Sequence, residues 1–186
     1  METIHTKRLT LRPWTLDDID FVYDMYSRWD VQRFIGIKPR VMESREEAVE
    51  RIERWQNFDT WQRPDDAVQG MWAVTESASG ELLGALLLKP IPASGPNTPL
   101  EPSDDTEIGW HFHPDAWAKG YATEAASAVL RHAFDRGLEK VVAVTSPKNF
   151  ASQRVCERIG MIRRGLTDMY YNTSCELFVA TNPTTR

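Results

Sequence analysis

Cysteine is scarce in this chain of 186 residues, which carries only Cys156 and Cys175. Two isolated thiols give neither a disulfide framework nor the paired spacing of a zinc site. Long apolar runs are missing too, since nothing approaches the ~20 consecutive apolar residues of a bilayer-spanning helix. The first residues, METIHTKRLTLRP, lack the apolar core of a secretory signal, so a cytoplasmic location without membrane attachment is expected. Basic excess is also lacking, because the net charge is −5. Nucleic-acid binding needs a basic patch to neutralise phosphates, so that class of partner is set aside. The same acidity is compatible with cationic amines, although net charge alone is poor evidence for a substrate.

What remains is an ordinary globular balance, 41% hydrophobic and 26% charged, at a length that supports one sizeable core. A single domain over residues 1–182 is expected, with a short tail at 183–186. Residues 5–14 read as a first strand with Leu9 and Leu11 on one face. Thr15-Leu16-Asp17-Asp18 is a capping box, and Ile19, Val22, Tyr23 and Tyr26 follow it in a helical stripe. A second box, Ser44-Arg45-Glu46-Glu47, opens a helix carrying Ala48, Ile52 and Trp55. Its Glu47–Arg51 and Glu50–Arg54 spacings suit ion pairs that decorate a wet face.

Residues 71–76 and 82–89 form a hairpin pattern, residues 140–144 a short β-branched strand, and residues 162 onward and 175–180 the last strands. Between Lys89 and Asp105 lie Pro90, Pro92, Pro96, Pro99 and Pro102. Such a segment is expected to be a long loop, either a tolerated insertion or a flap over a pocket, because proline cannot donate to a ladder.

Residues 106–136 are the most informative stretch. Ile108, Trp110 and Phe112 alternate with Glu107, Gly109, His111 and His113, as in a half-buried strand. Ala122, Ala125, Ala126, Val129, Leu130 and Ala133 then recur at helical spacing. Between them, Trp117-Ala118-Lys119-Gly120-Tyr121-Ala122 forms a Gly-containing turn that opens a helix. Such a turn leaves several backbone N–H groups free and is a natural seat for phosphate or pyrophosphate.

Those six residues resemble the acetyl-CoA-binding motif of the GNAT N-acetyltransferase superfamily, Arg/Gln-x-x-Gly-x-Gly/Ala, with Trp117 in place of Arg or Gln. That variant, followed by Thr123-Glu124-Ala125, is similar to the RimJ/RimL branch, whose members acetylate protein N-termini or small amines. Pro147-Lys148-Asn149-Phe150-Ala151-Ser152 and the later Gly160-Met161 resemble the family's Asn-x-x-Ser helix and the Gly-Phe after it. Periodicity alone supports a mixed α/β sheet with helices on it. The resemblance implies more: a largely antiparallel seven-stranded sheet, helices on both faces, and parallel fourth and fifth strands splayed around the pantetheine arm.

The resemblance also implies acetyl transfer from acetyl-CoA to a primary amine, a protein N-terminus or a small molecule, by direct attack in a ternary complex. A non-catalytic acyl-CoA-binding module that senses cofactor level is the competing reading. Self-association into a homodimer is left open.

Amine acetylation needs a neutral amine, stabilisation of an oxyanion and a proton for the leaving thiolate. An alkyl ammonium has a pKa near ~10, so a base helps. Glu107, expected at the start of the site strand, is the leading candidate, with His111 and His113 as alternatives. The oxyanion would meet backbone N–H groups of His111, Phe112 and His113, as the resemblance implies. The pyrophosphate would meet those of Ala118, Lys119, Gly120, Tyr121, Ala122 and Thr123, and the Lys119 ammonium either assists or points to solvent.

Asn149 and Ser152 are ordinary capping chemistry, and the resemblance gives them a second use toward the pantetheine amide and the sulfur. Many family members carry a tyrosine acid four residues after the serine, where this chain has Cys156, so Ser152 or water is left as the donor. Cys156 reads as a small core residue. His111-x-His113 has no third ligand, and no metal is expected. The acceptor surface would come from residues 29–42, the proline segment and residues 170–175.

Overall fold

The computed structural model describes residues 1–57 and 68–183, and it opens on a break in the first strand. Instead of running through residues 5–14, the chain pairs Ile4–His5 (β1) with Leu9–Arg12 (β2) as a small antiparallel hairpin. Thr6 closes the turn: its amide donates to the Leu9 carbonyl, and its hydroxyl accepts from the Leu9 amide at 2.9 Å. A 3-10 turn at Leu16–Asp18 leads into Ile19–Tyr26 (α1), followed by Trp29–Gln32 (α2) and Arg45–Gln56 (α3). Then come Gly70–Glu76 (β3), Leu82–Pro92 (β4), Pro102–Phe112 (β5) and Tyr121–Asp135 (α4). Lys140–Thr145 (β6), Phe150–Arg158 (α5), Ile162–Thr167 (β7) and Cys175–Thr181 (β8) complete the order.

All eight strands join one sheet in the order β1-β2-β3-β4-β5-β6-β8-β7. The broken first strand accounts for eight where seven were expected. Every neighbouring pair is antiparallel except β5 and β6. That parallel pair is joined at a single position, Glu107 opposite Val142. Beyond it β5 stays with β4 as far as Phe112 opposite Gly84, while β6 stays with β8 as far as Thr145 opposite Glu176. The two halves of the sheet therefore diverge, and a gap opens from Glu107 onward.

Strand alternation sends two sets of side chains to two helical layers. On one face Leu9, Leu11, Val74, Leu86, Leu88, Ile108, Phe112 and Phe178 pack with α4 and α5, which bury Ala125, Ala126, Val129, Ala133 and Cys156. Fully burying each of those large aliphatic side chains contributes ~2 kcal/mol. On the other face α1 and α3 place Val22, Met25, Tyr26, Ala48 and Ile52 over the small residues Ala73 and Ala85. Both predicted capping sequences work: the Asp18 carboxylate accepts from the Thr15 amide at 2.9 Å, and the Ser44 hydroxyl accepts from the Glu47 amide.

Two local expectations are corrected. Glu47 pairs with Arg40 at 2.7 Å, and Arg51 instead lies over the Tyr26 ring, 4.1 Å from its centroid. Arg51 therefore belongs to the inner layer, with no wet-face ion pair to Glu47. The proline segment is also shorter as a loop than its composition suggests, because β4 runs to Pro92 and β5 begins at Pro102. The outer ends of β4 and β5 extend past β3, whose first pair is Gly70–Leu88, so missing proline donors cost little there. The tip is tied down: Ser94 Oγ donates to the Asp168 carbonyl at 2.6 Å, and Asn172 bonds both backbone groups of Gly95.

Candidate active site

The phosphate-side turn follows β5 through a 3-10 turn at Pro114–Ala116. Trp117, the residue that departs from the family motif, donates its indole N–H to the Phe112 carbonyl at 2.8 Å and so pins the turn to the strand end. Gly120, the N-cap of α4, has φ +81°, a left-handed conformation that side chains disfavour. The first amide to bond inside the helix is that of Glu124, which donates to the Gly120 carbonyl. The amides of Tyr121, Ala122 and Thr123 thus precede any intrahelical acceptor and add to the positive end of the helix dipole. Free N–H groups approached over a residue without Cβ are the kind of donors that suit a phosphate or pyrophosphate.

The turn is braced from the N-terminal hairpin. Arg8 donates to the Glu124 carboxylate at 2.6 Å and to the Lys119 carbonyl at 3.0 Å, and stacks 4.7 Å from the Tyr121 ring centroid. Thr6 Oγ1 donates to the same carboxylate at 2.6 Å. Glu124 is held below the usual carboxylate range by the Thr6 and Arg8 hydrogen bonds, against the opposing effect of its desolvation. Lys119 itself is exposed.

Backbone groups of β5 sort by parity. The His113 amide donates to the Leu83 carbonyl at 2.9 Å, and the His111 carbonyl lies against Gly84, where any Cβ would collide with it. Odd residues therefore spend their backbone groups on β4, and alternation turns Trp110 and Phe112 toward the gap. Of the three amides expected near the oxyanion, Phe112 faces the gap, whereas those of His111 and His113 face β4.

Side chains sort the other way. Glu107, Gly109 and His111 point to the α1/α3 face, opposite Ile108 and Phe112, so the predicted alternation holds. Glu107 lies in the middle of β5, not at its start, and is buried. Lys89, its cross-strand neighbour, sits with its ammonium 3.0 Å from Glu107 Oε2. Tyr171 donates to the same oxygen at 2.5 Å and accepts from Lys89 Nζ at 2.6 Å. Burial, with the Glu107 charge and hydrogen bond behind it, drives the Tyr171 phenol well above its ordinary value, so it remains a donor. Its position comes from the β7–β8 turn, where Tyr171 and Asn172 are both left-handed, with φ 59° and 51°.

The two histidines do not converge. His111 Nδ1 meets the Tyr26 hydroxyl at 2.8 Å, whereas His113 Nε2 meets Asp24 at 3.0 Å and its Nδ1 accepts from the Asp115 amide. Burial, helped by the Arg51 and Lys89 charges, pushes the His111 imidazolium down to about 3. A base that weak suits neutral-pH proton abstraction poorly. His113 is buried as the N-cap of the 3-10 turn.

On the α4/α5 face Asn149 Oδ1 accepts from the Ser152 amide at 3.2 Å, an N-cap bond that leaves its NH₂ available. Ser152 is half-buried in the first turn of α5, and Cys156, one turn on, has no exposed surface. Lys89, Tyr171, Tyr26 and Arg51 carry no site motif in the sequence. The nearest signals were the turn at residues 170–175 and the α1 stripe that includes Tyr26.

A mixed sheet split at its one parallel pair, with a helix N-terminus beside the gap, defines an acetyltransferase domain. The chain belongs to the GNAT acetyltransferase family and is an N-acetyltransferase: residues 8–162 match the Acetyltransferase (GNAT) domain. It is 27% identical over 168 residues to the uncharacterized N-acetyltransferase YoaA of Bacillus subtilis (strain 168), covering 90% of this chain and 86% of that protein. It is 30% identical over 161 residues to the FsC-acetyl coenzyme A-N(2)-transacetylase of Aspergillus fumigatus, covering 86% of this chain and 64% of that protein. A GNAT-family acetyltransferase from Bacillus anthracis superposes with a TM-score of 0.74 at 24% identity, over 97% of this chain and 99% of that one. A ribosomal-protein-S5-alanine acetyltransferase from Vibrio fischeri superposes with a TM-score of 0.74 at 13% identity, over the whole of both chains. At these identities the structural likenesses carry the fold. GNAT acetyltransferases use acetyl-CoA, and among the described residues no helix is long and apolar enough to cross a membrane.

Proposed function

We propose that the chain transfers the acetyl group of acetyl-CoA to a primary amine by direct attack in a ternary complex. The acceptor is a small amine or a protein N-terminus, as in the RimJ/RimL branch. The observation that carries this reading is the buried carboxylate of Glu107 at the single β5–β6 bridge where the gap begins. The donor approaches from the α4/α5 face and the acceptor from the α1/α3 face. Acetyl-CoA supplies an electrophilic thioester carbonyl.

Residues 118–123 hold its pyrophosphate, and the Phe112 amide, with that of Trp110, meets the developing oxyanion. Glu107 Oε2 is occupied by Lys89 and Tyr171, so Oε1 is the atom that takes the ammonium proton. The amine nitrogen then bonds the acetyl carbon, the tetrahedral intermediate collapses with cleavage of the C–S bond, and the nitrogen's second proton passes through Ser152 or water to the departing thiolate, so that the relay group ends as it began. Initial rates of CoA release across an amine panel test the proposal. Intersecting double-reciprocal lines are expected, parallel lines would indicate an acetyl-enzyme, and acetyl-CoA binding without turnover would indicate a sensing module.

A further inference from the structure

Arg51 stands in the α1/α3 layer with no carboxylate within ion-pair distance among the described residues, its sequence neighbour Glu47 being taken by Arg40. Its guanidinium is fixed by stacking, 4.1 Å from the Tyr26 ring centroid and 5.9 Å from that of Trp55. Tyr26 in turn lies edge-on to His111, with centroids 5.7 Å apart, and bonds its Nδ1. The other ring nitrogen, His111 Nε2, has no hydrogen-bond partner among the described residues. The Arg51 guanidinium, with no ion pair among the described residues, and His111 Nε2 therefore share one end of the face that Glu107 shares.

Between the two ends lies Gly109, and the Leu87 side chain packs against it, 3.1 Å from where a Cβ would stand. Glu107 and His111 are four residues apart on one strand face, which separates their Cα atoms by ~13 Å. Glu107 has its counter-charge in Lys89, and the charges that bear on the His111 end are those of Arg51 and Lys89, both positive.

We infer that Arg51 and His111 form an anion subsite, so that the acceptor is an amine that also carries a carboxylate. The inference rests on the acetyltransferase reading above. The amine lies toward Glu107, and the carboxylate toward the His111 end, where a guanidinium fork matches its two oxygens. Polyamines, which have no anion to offer, are poor acceptors on this reading.

The test compares amino acids and short peptides with their carboxamide counterparts, and with spermidine, by kcat/KM for CoA release. The wild-type enzyme is expected to favour the acids by about 10- to 100-fold, the scale of a charge-assisted hydrogen bond. Arg51→Gln is expected to bring the acids down to the level of the carboxamides, leave the carboxamides within a few-fold, and give Arg51→Lys an intermediate preference. Equal use of acids and carboxamides by wild-type enzyme, or a preference for spermidine, overturns the anion subsite while leaving the acetyltransferase function standing. If Arg51→Gln fails to fold, the wild-type comparison still decides. Absence of CoA release with every amine would overturn both readings.

Discussion

The Lys89 ammonium sits 3.0 Å from Glu107 Oε2, on the adjacent antiparallel strand and directly opposite in register. Tyr171 bonds the same oxygen from the β7–β8 turn. A carboxylate held this way is fixed by groups from two other elements, and its Oε1 has no hydrogen-bond partner among the described residues. The arrangement also supplies counter-charge to a buried anion, which alone would be costly to desolvate.

The first prediction concerns that carboxylate. Glu107→Gln keeps the shape and the Tyr171 and Lys89 contacts as far as an amide allows, but cannot take a proton. It is expected to lower kcat/KM by roughly 10²-fold at neutral pH, the scale of losing a general base. Acetyl-CoA affinity, measured by calorimetry, should change little because the donor seat lies across the sheet. A wild-type rate in the folded variant would remove Glu107 from the mechanism.

The second concerns the phosphate turn. Gly120 has a left-handed φ, and a Cβ there would lie 3.5 Å from the Arg8 guanidinium. Gly120→Ala should therefore cost about 1 kcal/mol in backbone strain. Gly120→Glu adds a negative charge where pyrophosphate is expected and should weaken acetyl-CoA binding far more than Gly120→Ala. Equal affinities for the two folded variants, by titration calorimetry, would move the donor elsewhere.

Much of this was legible in the chain because the signals are local. The alternation of Ile108, Trp110 and Phe112 against Glu107, Gly109 and His111 fixes which residues face which layer, and both capping boxes mark real helix starts. What failed depends on distant partners. Arg51 sits at ideal helical spacing from Glu47, yet Arg40 takes that carboxylate and leaves Arg51 to stack on Tyr26. Lys89 and Tyr171 reach Glu107 from 18 and 64 residues away, which no periodicity encodes. The prolines mislead because proline is excluded from paired interior strand positions, whereas Pro90, Pro92 and Pro102 lie where the β4–β5 pair outruns its neighbour β3.

The third prediction is a pH dependence of stability. His111 titrates near 6.5 when unfolded and is pushed down to about 3 in the fold, chiefly by burial and then by Arg51 and Lys89. Between those values the unfolded chain holds the extra proton, so stability rises with pH through the window and is lost as pH falls below about 6.5. The loss should be of order 1 kcal/mol per pH unit. Removing the imidazole removes this contribution, so His111→Asn should show a shallower fall in Tm between pH 6.5 and 4. Parallel curves for the two proteins would show that His111 is not the group responsible.

The fourth prediction separates Ser152 from Cys156 at the departing sulfur. The Asn149 cap bond to the Ser152 amide fixes the first turn of α5, and the Ser152 side chain is only half-buried there. Cys156 lies one turn further on, with no exposed surface, packed in the core beneath α4 and α5. Burial, the largest influence on it, pushes its thiol up to about 12, so neither a thiolate nucleophile nor an accessible acid is on offer. Ser152→Ala should thus slow turnover with acetyl-CoA affinity nearly intact, because a hydrogen bond to developing thiolate charge acts mainly in the transition state. Cys156→Ala should cost about 1 kcal/mol in stability through the small cavity it leaves, with little change in rate. Steady-state kinetics and thermal melts on both variants check this. The assignment reverses if Cys156→Ala loses most of its rate while Ser152→Ala keeps its own. Intact-protein mass spectrometry after exposure to acetyl-CoA without acceptor should reveal no acetylated thiol, as direct transfer requires.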